Sequence, residues 1–224
     1  GQSLFYEDLL PAFIKQRERY LKLKFGLPFP SAAKTEFGVG IAQLSDDYFQ
    51  SSGVTFSDSP SDNSRHNLFA SSLRIERNSL NAKQYPTGGS RQYLVAQYLA
   101  GREVYSPSNA PHIREPWQNW VQVKGQWMNY IPLSRRFRLG LMGEAVVSNK
   151  HLLSNYTSTI LQAPAFTPTP HSKIAFNESF RANQYVAAGI MPIVPLGKSL
   201  HLRLEGYGFL PIRPIRRAST LDDL

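Results

Sequence analysis

Apolar residues recur at every second position in segment after segment of this chain. In RYLKLKFGL, Leu21, Leu23, Phe25 and Leu27 share one side, while Tyr20, Lys22, Lys24 and Gly26 take the other. KTEFGVGIA sets Phe37, Val39 and Ile41 against Glu36, Gly38, Gly40 and Ala42, and RRFRLGLMGE sets Phe137, Leu139 and Leu141 against Arg136, Arg138, Gly140 and Glu144. SLHLRLEGYGF repeats the pattern, with Leu200, Leu202 and Leu204 opposite His201, Arg203, Glu205 and Tyr207. Less regular versions place Phe69, Leu73 and Ile75 against Arg74 and Glu76, and Val121, Val123 and Trp127 against Gln122, Lys124 and Gln126. A period of two is the signature of strands with one apolar and one polar face. About eight such strands can be counted, each near the roughly ten residues that a tilted membrane strand needs. Segments 91–100 and 183–194 are apolar on both sides, and periodicity does not orient them.

Alternation does not say which face is inside, because a soluble barrel hides its apolar face and a membrane barrel turns that face to lipid. The connections favour the second. Short turns are predicted at 28–34, 131–135 and 195–198, and long polar loops near 45–65, 101–116 and 149–180. Short turns at one end and long loops at the other are the pattern of outer-membrane barrels. The polar face mixes both signs of charge, as a hydrated, salt-bridged lumen tolerates. Aromatics near predicted strand ends (Tyr48 and Phe49, Tyr98 and Tyr105, Trp117 and Trp120, Trp127 and Tyr130, Tyr207 and Phe209) are candidates for an interfacial girdle.

Composition agrees with short-period strands. Aromatics make up 12% of the 224 residues and charged residues only 18%, with 16 prolines and 15 glycines, which suits strands and turns rather than a helical bundle. The length favours one domain over 1–224. A formal charge of +9 comes from basic residues spread along the strands without a basic block, so nucleic acid is not an expected partner. There is no cysteine, which removes disulfides and thiolate metal sites. No window of some eighteen apolar residues predicts a membrane-spanning helix.

Catalytic and cofactor motifs are absent: no G-x-S-x-G, H-E-x-x-H, phosphate-binding loop or dinucleotide fingerprint. No catalytic residue, metal ligand or cofactor is therefore assigned. GVG at 38–40 reads as small residues relieving crowding in a strand, and GG at 88–89 as a turn. His66, His112, His151, His171 and His201 lack metal-ligand spacing; Asp46-Asp47 and DSPSD at 58–62 read first as loop chemistry, with loose cation binding as the alternative.

Two stretches carry a resemblance. IERNSLNAKQYPTGGSRQYLVAQY (75–98) resembles the strand–turn–strand of the bacterial surface antigen superfamily of outer-membrane barrels, with Pro86-Thr87-Gly88-Gly89 as a tight periplasmic turn. LLSNYTSTILQAPAFTPTPHSK followed by IAFNESFRANQYVAAG is similar to the version in Bacteroidota-type patatin-like phospholipases, whose C-terminal barrel belongs to that superfamily. The resemblance implies a long external loop folded back into the lumen, with an arginine on that loop meeting carboxylates on the wall. Phe180 and Arg181 occupy the equivalent place, and Glu144 and Glu205 are the expected partners. Ala182 stands where the motif has glycine.

The resemblance further implies that the eight strands are part of a roughly sixteen-stranded barrel, and that this chain is an internal part of a larger protein whose catalytic Ser-Asp dyad lies in a separate N-terminal domain. The expected function is then an outer-membrane anchor, and export device, for a lipid acyl hydrolase, located in the bacterial outer membrane with its lipid and other outer-membrane proteins as partners. The alternatives are a porin-like channel with a basic lumen and a soluble all-β binding domain.

Overall fold

The computed structural model describes residues 14–28, 33–48, 61–173, 176–197 and 200–216. These form one antiparallel sheet of ten strands with almost no helix. The strands are β1 (Ile14–Pro28), β2 (Ala33–Tyr48), β3 (Asp62–Asn78), β4 (Gly89–Ser106), β5 (Ile113–Arg114), β6 (Gln118–Ser134), β7 (Phe137–Ser148), β8 (Tyr185–Pro195), β9 (His201–Arg203) and β10 (Gly206–Pro211). Neighbours in sequence are neighbours in space along β1-β2-β3-β4-β6-β7-β8-β10, with the short β5 beside β4 and β9 beside β8. Among the described residues β1 and β10 are the two edges, and the sheet does not close.

The strands are long. β2, β3 and β4 run for 16, 17 and 18 residues, against a usual length of about 5–6 in globular proteins. At ~3.3 Å per residue each extends for roughly 50 Å. The extra length lies where both faces are polar, so alternation does not reveal it. Ser45–Tyr48 and Asp62–Arg65 are paired strand, not loop, and β4 continues through Gly101–Ser106. Short connections (29–32, 79–88, 135–136, 196–200) gather at one end of the sheet and long ones (49–61, 107–117, 149–184) at the other.

The β3–β4 connection is ten residues long, not the tight turn expected at 86–89. Asn81 organises it, accepting from the Thr87 and Gly88 amides at 3.0 and 3.1 Å. Gly89 opens β4 at φ +88°, where a Cβ would lie 2.1 Å from the Ser79 carbonyl oxygen, so only glycine fits.

Register puts alternate residues on two unlike faces. On one, which we call the bare face, Leu21, Ile41, Phe69 and Ala100 form a row across four strands; below it run Leu23, Val39, Ser71, Tyr98 and Val121, then Phe25, Phe37, Leu73, Ala96 and Val123. The large side chains among these are exposed, Leu21 at 65% and Ile41 at 59%, while Val39, Ala96, Ala100 and Val123 are half-buried. One row nearer the long-loop end the same face changes to Arg19, Gln43, Asn67 and Arg102. The apolar band therefore ends along a single register row.

The opposite, covered face carries Lys24, Glu36, Arg74, Glu76, Lys124, Arg138, Glu144 and Arg203. Lys24 meets Glu36 at 2.7 Å, and Arg74 and Arg91 both meet Glu76 at 2.8 Å. Arg136, expected on this face, lies in the β6–β7 turn instead. Most of the expected aromatic girdle also points here by parity: Tyr48, Tyr105, Trp120 and Tyr130 are buried, and Tyr207 and Phe209 pack against the core. Only Tyr98, Trp117 and Trp127 of that set are exposed, and Phe49 lies outside the described residues.

Candidate functional site

The segment between β7 and β8 does not stay at the long-loop end. It lies along the covered face and reaches the short-connection end, where the His171 ring nitrogen Nε2 is 3.2 Å from the Tyr85 hydroxyl in the β3–β4 connection. Tyr85 adopts a left-handed backbone at φ +48°, a costly conformation for a bulky residue. The FTPTPHSK stretch is therefore the far tip of a folded-in segment.

A short helix, α1 (Tyr156–Leu161), starts that segment. Six residues hold a helix only with help from outside. Asn155 supplies it at the N-terminus, its side-chain oxygen accepting from the Ser158 amide at 2.8 Å. Arg181 supplies it at the other end: its Nη1 donates to the carbonyls of Ile160, Leu161 and Ala163 at 3.4, 2.7 and 3.3 Å, and its guanidinium lies 4.7 Å from the Phe176 ring centre. The last turn of a helix leaves carbonyls without partners, and a cation there is favourable.

This corrects the expectation that Arg181 meets Glu144 or Glu205. Carbonyl oxygens take up Nη1 of the half-buried guanidinium, its Nε has no hydrogen-bond partner among the described residues, and both carboxylates are engaged elsewhere. Glu144 accepts from Lys124, Gln126 and Tyr185 at 2.7, 2.7 and 2.6 Å. Glu205 accepts from Arg203 at 2.5 Å and Tyr207 at 3.1 Å. Nor is Phe180-Arg181 the tip. It forms one side of a narrow neck, in which Ala165 pairs with Arg181 and the Phe166 amide donates to the Phe180 carbonyl at 2.9 Å. The Ala182 methyl is fully buried in the core cluster, so this position holds a side chain where the resemblance implies glycine.

Two kinds of contact fix the segment. Towards β8 and β10 it is aromatic: Phe166 lies 6.0–6.5 Å from the rings of Phe180, Tyr185, Tyr207 and Phe209, over Val146, Met191 and Ile193. Towards β2–β4 it is polar. Glu103 accepts from the Ser154 amide and hydroxyl, both at 2.8 Å, and from the Ser158 hydroxyl at 2.5 Å. Asn155 donates to the Tyr48 hydroxyl at 2.8 Å, and Gln162 to Asp46 at 2.7 Å.

Ser158, His66 and Glu103 are the residue types of a hydrolytic triad, but their wiring is not that of one. In a triad the carboxylate holds the histidine through the nitrogen facing away from the serine. Here His66 Nε2 is the atom nearest both Ser158, at 3.4 Å, and Glu103, at 4.0 Å. Glu103 accepts the Ser158 hydroxyl's hydrogen bond directly, and Ser158 is fully buried. The cluster is a structural tie. The Asp46-Asp47 pair is split between faces, Asp46 to Gln162 and Gln16 and Asp47 to Arg17 and Asn63, which removes it as a chelating pair. Asp62 receives the Tyr105 hydroxyl at 2.7 Å and the Ser108 amide at 2.7 Å; residues 58–60 lie outside the described residues.

Glu103, Ser158, Phe166 and the Tyr85–His171 contact were not identified from sequence. Asn155 followed by YTSTIL is a legible N-cap, and it was the one available signal for α1.

Compared with known proteins, the chain matches no protein-family model, and no curated protein is significantly similar to it.

Proposed function

We propose that this chain is the barrel portion of a bacterial outer-membrane protein, with its bare face toward lipid and its covered face toward a lumen that the folded-in segment fills. The observation that carries this reading is the edge of the apolar band: across β1–β4 a row of exposed Leu21, Ile41 and Phe69 and half-buried Ala100 gives way at once to Arg19, Gln43, Asn67 and Arg102. A sheet in water has no reason to expose apolar side chains on one half of a face and polar ones on the other. A bilayer requires it, since an apolar belt of ~25 Å must end at the headgroups. Apolar runs on the bare face range from about 5 residues on β2 (Phe37–Ile41) through about 7 on β1 (Leu21–Leu27) to about 11 on β7 (Phe137–Val147), against the ~9–11 residues of a membrane strand.

The segregation of long and short connections supports the same orientation, with the long ones external. An internal segment reaching both ends of the sheet favours a plugged barrel over the open, basic-lumen channel, and the exposed band disfavours the soluble binding domain. Within this reading the barrel anchors a patatin-like lipid acyl hydrolase domain, as the resemblance of 75–98 and of the folded-in segment implies; none of the residues described here performs that chemistry.

Extraction separates the readings. A barrel stays with membranes until detergent is added and migrates faster in gel electrophoresis unheated than boiled; recovery as a monomer in detergent-free buffer refutes the membrane reading. For the attached activity, the full-length protein should hydrolyse a lysophospholipid and lose this on replacement of a G-x-S-x-G serine, whereas a full-length sequence without such a motif removes the hydrolase and leaves the barrel.

A further inference from the structure

At the short-connection end the covered face and the tip of the folded-in segment enclose a cavity of about 240 Å³. Its cations come from six places: Arg74 on β3, Arg91 on β4, Lys124 on β6, Arg203 on β9, Lys83 in the β3–β4 connection and Lys173 in the tip. Glu144 and Glu205 also line it, and Glu76 stands behind Arg74 and Arg91. Six cations thus meet three carboxylates.

Not all six are available. Arg203 is used up by Glu205, by the Pro86 carbonyl at 2.7 Å and by the Tyr130 hydroxyl at 3.0 Å, and Lys124 is held by Glu144. Arg74 and Arg91 share a single carboxylate. Arg74 donates to it through Nε and Nη2, and Arg91 through Nε, so Nη1 of Arg74 and both terminal nitrogens of Arg91 have no protein acceptor among the described residues. The Tyr93 ring, 4.7 and 5.0 Å from the two guanidinium carbons, fixes their planes. Lys83 and Lys173 are in no ion pair among the described residues.

We propose that this cavity binds a phosphate group, with Arg74, Arg91, Lys83 and Lys173 as its ligands. Guanidinium forks held in place suit the tetrahedral, multiply charged oxygens of phosphate, and ammonium groups complete the shell as point charges. A single carboxylate would leave most of the surplus uncompensated, whereas a dianion removes the greater part of it. The volume lies below the ~300–1,000 Å³ of pockets for drug-sized ligands, so it admits a phosphate or a small headgroup and not acyl chains. The site needs only the sheet face and the folded-in tip, so failure of the membrane reading would leave it standing.

The test is calorimetric titration of the whole protein, in phosphate-free detergent at constant ionic strength set with chloride, with inorganic phosphate and with glycerol 3-phosphate. Saturable binding at one site is expected, weakened at least tenfold in a Lys83→Gln/Lys173→Gln double variant. Both lysines are exposed, so an unchanged far-ultraviolet circular dichroism spectrum and melting temperature will report that this variant folds, whether or not the protein is a membrane barrel. Arg91→Gln should weaken binding further. Absence of saturable heat, equal affinity in the double variant, or displacement by chloride overturns the proposal. Retained phosphate binding in phosphatidylcholine nanodiscs assigns a free solute, and its competition by added phosphatidylglycerol assigns a lipid headgroup.

Discussion

The two faces of the sheet are built from alternate residues of the same strands, yet they obey different rules. On the bare face Leu23, Phe25, Phe37 and Leu73 stand exposed with none of the described residues over them, and their identity matters only as a class. On the covered face the buried side chains of β2–β4 and β8 meet named partners from a segment far away in sequence: Glu103 with Ser154 and Ser158, Tyr48 with Asn155, Tyr185 with Phe166. An ordinary half-solvated sheet is apolar where covered and polar where bare. The inversion at the band means that solvent quality shapes one face and specific contacts shape the other. Substitutions should therefore fail on the two faces for different reasons.

The largest effect is expected where the covered face is apolar. Phe166→Ala removes the ring that four other aromatics surround, and a buried Phe→Ala change costs about 3–5 kcal/mol. The loss falls on docking of the 149–184 segment, so limited proteolysis should cut near the tip far faster than in wild type. Leu152→Ala, at an exposed site on the same segment, should stay within about 0.5 kcal/mol. Equal cleavage of the two variants would remove the aromatic cluster as the anchor.

The bare face gives the next largest. Phe37→Arg places a charge inside the apolar band and Gln43→Arg places one beyond its edge, on the same strand and the same face. For refolding into lipid vesicles the first should cost about 2–4 kcal/mol and the second about 0–1. Urea titration of the heat-modifiable band measures both. If the two costs are equal, the edge of the band does not mark a membrane boundary.

The difference between the faces also decides what could be read from sequence. A face that answers only to a class of solvent writes itself as a period of two, so Leu21–Leu27, Phe37–Ile41 and Phe137–Leu141 are legible from the residues alone. β4 and β8 resist orientation because Val95, Leu99, Met191 and Ile193 are apolar on the covered side as well, so the alternation that would tell the two sides apart is lost. The ends of β2 and β3 read as loop because Ser45–Asp47 and Asn63–His66 are polar on both faces. Arg181 was identifiable as a buried cation, but not its partner: the carbonyls of α1 serve in place of a carboxylate, and six residues of helix held by their caps leave little periodicity to find.

Glu103 tests the polar half of the docking. Glu103→Ala removes the acceptor of the Ser154 amide and the nearer acceptor of the Ser154 and Ser158 hydroxyls, leaving Glu115 and His66 as longer alternatives for the hydroxyls, and hydrogen bonds to a charged group are worth roughly 1.5–3 kcal/mol. Glu103→Gln keeps the acceptor oxygen and the shape, so it should recover part of the loss. Denaturant and proteolysis measurements that show no difference between Ala and Gln would mean that Glu103 contributes bulk and not hydrogen bonding.

The smallest effect, and the one with the sharpest signature, is expected at Lys150. Its ammonium sits 5.0 Å from the Trp120 ring centre and 3.4 Å from the Gln162 carbonyl. Burial pushes it down from 10.5 to about 8, while Glu103 and Asp46 pull the other way. When the segment is released, Lys150 is hydrated and keeps its proton up to its ordinary range. Between about pH 8 and 10.5 the released form therefore holds a proton that the docked form lacks, and docking strengthens as pH rises through that window. Below pH 8 the whole burial cost is present and docking no longer changes with pH on this account. Lys150→Met should protect the segment at pH 7 and abolish its gain between pH 8 and 10, read as the wild-type-to-variant ratio of proteolysis rates at each pH so that the protease's own response cancels. A ratio that does not change with pH would mean that the Lys150 charge is already solvated when the segment is docked, and that the polar half of the covered face is wet where the aromatic half is dry.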